Sequence, residues 1–236
     1  RHRLLGIGYG WLLRGTYALM AIGAVWVGRR TDPYLPRDLA AAGVAVAATV
    51  AFVVSYLRRK AGVARQRELV EARTARVAEM TGIDRTERLA EGDGPEFPPV
   101  LDLIAPIIGF VGLVFAGAHI GDPDWLSVAR TLTGALFLGV VTDAMLLGHW
   151  YLVQPGLPRD PIRELVKWTA AIWPVELLFL VWPIGMVSAL NGTVDDGWDG
   201  LLSWFWLACT VTTIGLVAVT WAALKEKEYS AVMAAT

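Results

Sequence analysis

Three ionisable residues lie inside long apolar stretches of the chain, where a charge is costly. Asp143 lies deep in the stretch that ends at His149, Glu176 lies between two prolines, and Arg14 follows a Leu-Leu pair. Ionisable groups at membrane depth usually face protein or water and often mark the path of a proton or an ion. A carboxylate without a partner there takes up a proton rather than remain charged. Asp143, Glu176 and Arg14 are therefore the candidates for transport or proton handling.

Each of the three has a second interpretation. The prolines around Glu176 are Pro174 and Pro183, and each removes a backbone donor and tends to bend a helix. Broken helices of this kind form the sites of secondary transporters, although single prolines are also common in ordinary membrane helices. Asp143 could instead make a structural hydrogen bond to a neighbouring helix. Arg14 could extend its side chain to the membrane surface, or act as the counter-charge of Asp143 or Glu176.

The run His149-Trp150-Tyr151 is the one candidate for contact with a cofactor. A histidine with aromatic neighbours can ligate haem, contact a quinone head group or relay protons. It can also simply bond a lipid head group or a backbone carbonyl at the membrane surface. The other internal histidine, His119, lies at the opposite end of the preceding span, about 30 Å away in depth. The two therefore cannot be the axial ligands of one haem, and no haem, quinone or metal is predicted beyond this contact.

The apolar stretches themselves predict the fold. Hydrophobic residues make up 55% of the chain and the mean hydropathy is +0.49. A helix needs about 20 apolar residues to cross a hydrocarbon core of about 30 Å. Six windows meet this requirement: 4–28, 38–57, 100–121, 126–153, 165–190 and 201–224. The sequence therefore predicts an all-α, polytopic membrane protein with about six transmembrane helices, and its apolar end favours a further helix after Thr236.

One charged segment divides the predicted spans. Residues 58–99 are expected to form a cytoplasmic helical segment between the spans of 1–57 and those of 100–236. Within it, valines at a spacing of seven predict a helix in 61–91, Gly82 is a natural stop, and Asp84 opens a capping box for a second short helix. A solvated hairpin and a docking surface for partner subunits both fit this pattern.

Loop charges predict the orientation, because Lys and Arg near span ends are retained in the cytoplasm. Basic residues follow the second span, precede the fifth and occupy the tail, whereas the loops at 121–125 and 191–200 contain acids and no bases. Both ends are therefore expected inside. The arginines at 29, 30 and 37 disagree, since they fall on the predicted outer side. A composition rich in Ala, Val, Arg and Gly and poor in Lys is typical of high-GC bacteria, which indicates a bacterial inner membrane.

Three functions remain open from sequence. The first is the movement of protons, ions or a small solute through the helix bundle by buried carboxylates. The second is a membrane-anchoring subunit of a larger, respiratory-type complex that borders a quinone or haem. The third is an enzyme acting on lipid, for which no nucleophile and base have suitable spacing, so no catalytic activity is expected. The net charge of −1 offers no basic field for nucleic acid; the expected surroundings are a lipid bilayer and partner subunits bound through 61–91.

Overall fold

A computed structural model describes residues 7–58, 64–82, 97–121, 124–153, 157, 159–181 and 197–225, together with 188, 190, 191, 193 and 195. Within these ranges the regular structure is helical. The helices are α1 (Ile7–Thr31), α2 (Leu35–Leu57), α3 (Ala64–Thr81), α4 (Leu101–Ile120), α5 (Asp124–Val153), α6 (Asp160–Val181) and α7 (Leu201–Ala223). Each predicted apolar window coincides with one of these helices over most of its described length, so the all-helical fold is confirmed.

Five of these helices are long and apolar enough to cross a membrane, namely α1, α2, α4, α5 and α7. Only 6% to 22% of the residues in their apolar windows are buried within the protein. Leu, Val, Ile and Trp side chains therefore cover the outside of these helices, as is typical of a surface that faces lipid. Helix α6 falls short of this set because its first two turns are charged and because 182–187 lie outside the described residues. A sixth crossing remains a prediction.

The charged helix α3 lies within the segment 61–91 that the sequence predicts to be helical. It ends at Thr81, and Gly82 follows with a φ of +68°, a left-handed conformation that favours glycine. The Gly82 N–H donates to the Ala78 carbonyl at 2.8 Å. The predicted stop at Gly82 is therefore confirmed, while the capping box at Asp84 lies outside the described residues.

The chain divides into two compact units, Arg1–His119 with Gln154–Pro158, and Ile120–Val153 with Arg159–Thr236. In the first unit α1 and α2 form a helical hairpin, and α4 packs on α2 through small residues. A Cβ placed on Gly112 would lie 2.6 Å from the Cβ of Ala40, and one on Gly43 would lie 3.1 Å from Ile108. The two backbones can approach this closely because glycine has no side chain at these positions.

This close contact predicts that Gly112→Ala destabilises the first unit. Overpacking of a tight interface costs about 1–3 kcal/mol, so we expect a lower thermal unfolding midpoint, measured by circular dichroism in one detergent. Gly23→Ala in α1 is the control, because nothing lies within 4 Å of a Cβ at that site. Alanine there should be neutral or stabilising by up to about 1 kcal/mol through helix propensity. Equal midpoints for the two variants would contradict the close α2–α4 packing.

The tight turn between α1 and α2 explains how the three arginines on the predicted outer side are used. Asp38 is 2% exposed and lies 2.9 Å from Arg37 Nη2 and 3.3 Å from Arg29 Nε. Arg37 also donates to the carbonyl of Asp32, whose carboxylate lies 3.3 Å from Nε2 of His119 on α4. Arg29 and Arg37 therefore form ion pairs at the turn and Asp32 joins the turn to α4, while Arg30 lies 4.7 Å from the centre of the Trp26 ring. These are structural roles on either side of a membrane.

The second unit contains α5, α6 and α7. Helix α5 has 30 residues and is about 45 Å long, which exceeds the hydrocarbon thickness of a bilayer. Helix α6 packs along α5 and also touches α7. Helix α7 begins after Gly200, whose φ of +81° turns the chain into the helix, and it ends at Ala223 next to the start of α6.

Candidate functional site: a buried carboxylate between α5 and α6

Glu176 lies at the interface between α6 and α5. Helix α6 continues through Pro174, and the Glu176 side chain lies against Gly134 of α5, where a Cβ would be 3.3 Å from Oε1. The Oε2 atom is buried and has no hydrogen-bond partner in the described part of the chain. A buried carboxylate oxygen without a donor is costly and calls for an explanation. Its lone pairs are available to a proton or a small cation.

Arg130 of α5 lies one turn from this carboxylate. Its Nε donates a hydrogen bond of 2.7 Å to the backbone carbonyl of Phe179 on α6. In an α-helix that carbonyl would accept from residue 183. Residue 183 is proline, which has no N–H in any conformation. Arg130 therefore provides the donor that the sequence of α6 cannot provide.

The two contacts place a cation and a carboxylate on the same helix interface. Arg130 precedes Gly134 by four residues on one face of α5, and Phe179 follows Glu176 by three on one face of α6. The guanidinium and the carboxylate are thus about one helical turn, about 5 Å, apart along the interface. A carboxylate oxygen without a donor in the described part of the chain and a nearby fixed positive charge together form a polar site inside an apolar helix pair.

Asp143, the other predicted carboxylate, lies on a different face of α5. Thirteen residues separate it from Arg130, which corresponds to about 220° around the helix. It lies instead on the face of α5 that carries Leu147 and Tyr151, both of which are fully buried. The Asp143 side chain is half-buried and has an interaction partner of its own. Asp143 and Glu176 are therefore two separate polar positions in the second unit.

Arg14 has its counter-ion within the first unit, and that counter-ion is Asp102 at the start of α4. The guanidinium binds the carboxylate through two hydrogen bonds, from Nε to Oδ1 at 2.7 Å and from Nη2 to Oδ2 at 2.6 Å. Its Nη1 donates to the Ser55 hydroxyl of α2 at 3.0 Å, and Phe97 lies beneath it at 4.1 Å. Arg14 therefore ties α1, α2 and α4 together, with a partner other than the two carboxylates that the sequence offered.

Removing Asp102 should loosen this junction. The Arg14 side chain is 17% exposed and that of Asp102 is 44% exposed, so we expect Asp102→Asn to cost about 1–2 kcal/mol, below the range for buried pairs. A double-mutant cycle with Arg14→Gln measures the coupling by thermal unfolding. Additive effects of the two single substitutions would contradict a direct pair.

The three residues of the His149-Trp150-Tyr151 run differ in their burial. His149 is exposed, and its Nδ1 lies 2.8 Å from the Met145 carbonyl. A carbonyl only accepts, so Nδ1 is the donor of this contact. Trp150 is half-buried and Tyr151 is fully buried. His149 thus bonds its own helix, as an ordinary histidine at a membrane surface does, and no His, Cys, Asp or Glu cluster in the described ranges could hold a metal ion.

Two residues at these sites were missed by the sequence reasoning, Asp102 and Arg130. Both lie within the first turns of predicted spans, where a charge is easily assigned to the membrane surface. The proline four residues after Phe179 is a usable signal for Arg130, because a carbonyl that loses its donor at membrane depth needs another one. The sequence offers no comparable signal for Asp102.

Comparison of the chain with protein-family models, with curated proteins and with solved structures finds no match. The chemistry of the polar positions is therefore the basis for a functional conclusion.

Proposed function

We propose that this protein moves protons or small cations across a membrane and that Glu176 is the group that binds them. The observation that carries the proposal is the Oε2 atom of Glu176, which is buried at the α5–α6 interface and has no hydrogen-bond partner among the described residues. A structural carboxylate in an apolar interface is expected to have its lone pairs satisfied. An oxygen held without a donor is what a transient proton or cation requires.

The surroundings of Glu176 support this function. Gly134 leaves room beside the carboxylate, and Arg130 donates to the Phe179 carbonyl of α6 and not to Oε2. The proposal places the chain in a bacterial inner membrane with six crossings and both ends inside. The apolar exteriors of α1, α2, α4, α5 and α7 support the membrane location, and the basic loops support the orientation.

Reconstitution tests the function directly. The purified chain is placed in vesicles that contain a pH-sensitive dye, and a potassium diffusion potential is imposed with valinomycin. We expect the internal pH to change faster than in protein-free vesicles. Sodium and potassium gradients applied in parallel separate a proton path from a cation path. Flux at the protein-free level for every ion would refute the proposal.

A second function is a membrane-anchoring subunit of a larger, respiratory-type complex. The observation that favours it is α3, on which Met80 is 57% exposed beside charged, exposed Glu71, Arg76 and Glu79. An amphipathic helix outside the spans offers a surface for a partner subunit, and exposed His149 is where a quinone or haem would be contacted. Purification from the native membrane, with identification of co-purifying chains and an absorption spectrum, tests it. A single chain without a haem band would count against this second function.

A further inference from the structure

A cationic cavity lies between the start of α6 and the end of α7. It has a volume of about 240 Å³ and is lined by Arg163, Lys167, Trp221, Leu224 and Lys225. Arg163 and Lys167 are four residues apart on one face of α6, while Trp221 lies in the last turn of α7 and Lys225 follows the end of that helix by two residues. The cavity is built by side chains of both helices within one unit.

One of the three cations holds the cavity together. The Nη2 atom of Arg163 donates to the Leu224 carbonyl at 2.9 Å and so joins the start of α6 to the last turn of α7. Lys167 and Lys225 are exposed, and neither makes an ion pair in the described part of the chain. No acidic residue is among the described residues that line this cavity. The described lining of this cavity is therefore cationic, which suits an anionic ligand.

The adjoining groove on α6 differs from this cavity in its charge. That groove is lined by Asp160, Glu164, Arg163 and Lys167 with Trp168, so its acids and bases are balanced. The two cavities share Arg163 and Lys167, and of the two the α6–α7 cavity is the one whose described lining contains no acid. Its volume is below the range of about 300–1,000 Å³ for drug-sized pockets, which suits a single anionic group rather than a large solute.

The position of the cavity identifies the source of the anion. It lies at the end of α7, a helix whose exterior is apolar, as at Leu216 and Val219, up to the last turn. Trp221 is an aromatic ring of the kind that lies at lipid head-group depth. An anion bound here has hydrocarbon on one side and water on the other. Basic pockets between membrane helices on the cytoplasmic side bind anionic phospholipids in this way.

We propose that the α6–α7 cavity binds the phosphate head group of an anionic phospholipid, with Lys167 and Lys225 as ligands and Arg163 as the positioning residue. The acyl chains then lie along the apolar exterior of α7. The proposal does not depend on ion movement at Glu176. It involves other charged residues, and these lie at the start of α6 and the end of α7 rather than at the α5–α6 interface.

Lipid binding by the purified full chain tests the proposal. The protein is delipidated in a neutral detergent and titrated with phosphatidylglycerol that has a fluorescent acyl chain, with phosphatidylcholine of the same label as the zwitterionic control. We expect tighter binding of phosphatidylglycerol. The double variant Lys167→Gln/Lys225→Gln should weaken it about 20- to 30-fold, since each basic residue contributes about 1 kcal/mol.

A charge-matched control separates this cavity from general attraction. Arg30→Gln/Arg76→Gln removes two exposed positive charges elsewhere, from α1 and α3, and should leave the affinity within about twofold. Equal weakening by both double variants would overturn the proposal, as would equal affinity for the two lipids. Displacement of phosphatidylglycerol by inorganic phosphate below the millimolar range would assign the cavity to a soluble anion instead. Unfolding midpoints show that each variant is folded.

Discussion

Glu176→Gln is expected to reduce ion flux by at least about 100-fold, to near the rate of protein-free vesicles. Glutamine has nearly the same shape and preserves the contact with Gly134, but its amide does not take up a proton and has no negative charge to hold a cation. Positioned acid–base groups contribute about 10²- to 10⁴-fold to proton transfer. The measurement is dye-reported flux in vesicles at equal protein content.

Glu164→Gln is the matched control for this experiment. It makes the same chemical change on the same helix at an exposed position outside the α5–α6 interface, and flux should stay within about twofold of the wild type. Asp143→Asn tests the second carboxylate and is also expected to lower flux. Wild-type flux in both Glu176→Gln and Asp143→Asn would eliminate transport by buried carboxylates.

Arg130→Met is expected to have the largest effect on stability, a loss of about 2–4 kcal/mol. Methionine keeps an unbranched apolar side chain but removes the donor to the Phe179 carbonyl. An unsatisfied buried carbonyl costs about 1–3 kcal/mol, and the loss of the positive charge one turn from Glu176 adds to this cost. Thermal unfolding in detergent, with tryptophan fluorescence as the signal, measures the loss.

A second substitution distinguishes the lost hydrogen bond from the lost charge. Pro183→Ala provides the N–H that a helical turn directs to the Phe179 carbonyl, so Arg130→Met/Pro183→Ala should recover about 1–2 kcal/mol. Glu176→Gln combined with Arg130→Met should instead recover the electrostatic part. If neither second substitution restores stability, Arg130 acts through packing and this account of the interface is wrong.

The helices were largely predictable because their signals are local. An apolar window in lipid must form a helix, because only then do its backbone groups find hydrogen-bond partners. Glycine and proline mark the ends of helices, as Gly82 does for the charged helix α3. The boundary of α6 was less predictable, because Asp160, Arg163, Glu164 and Lys167 belong to the helix while its apolar part begins only afterwards. Hydropathy therefore placed the start of this helix too late.

The candidate sites were only partly predictable. The sequence identified Arg14, Asp143 and Glu176 by the cost of charge in an apolar stretch, which depends on residue type alone. It did not identify the partners, because the Arg14–Asp102 pair and the Arg130–Phe179 bond join residues 88 and 49 positions apart. Such pairs depend on how neighbouring helices are aligned along their axes.

By itself, then, the sequence determined that this protein is a set of apolar helices with a few costly charges, because the length and apolar composition of each stretch are enough to predict a membrane-spanning helix. The tertiary structure alone decided which charge meets which group. The approach of Gly112 to Ala40 and of Glu176 to Gly134 sets the alignment of the helix pairs. This alignment leaves one oxygen of Glu176 buried without a donor among the described residues, while Arg14 binds Asp102 and Arg130 donates to the Phe179 carbonyl.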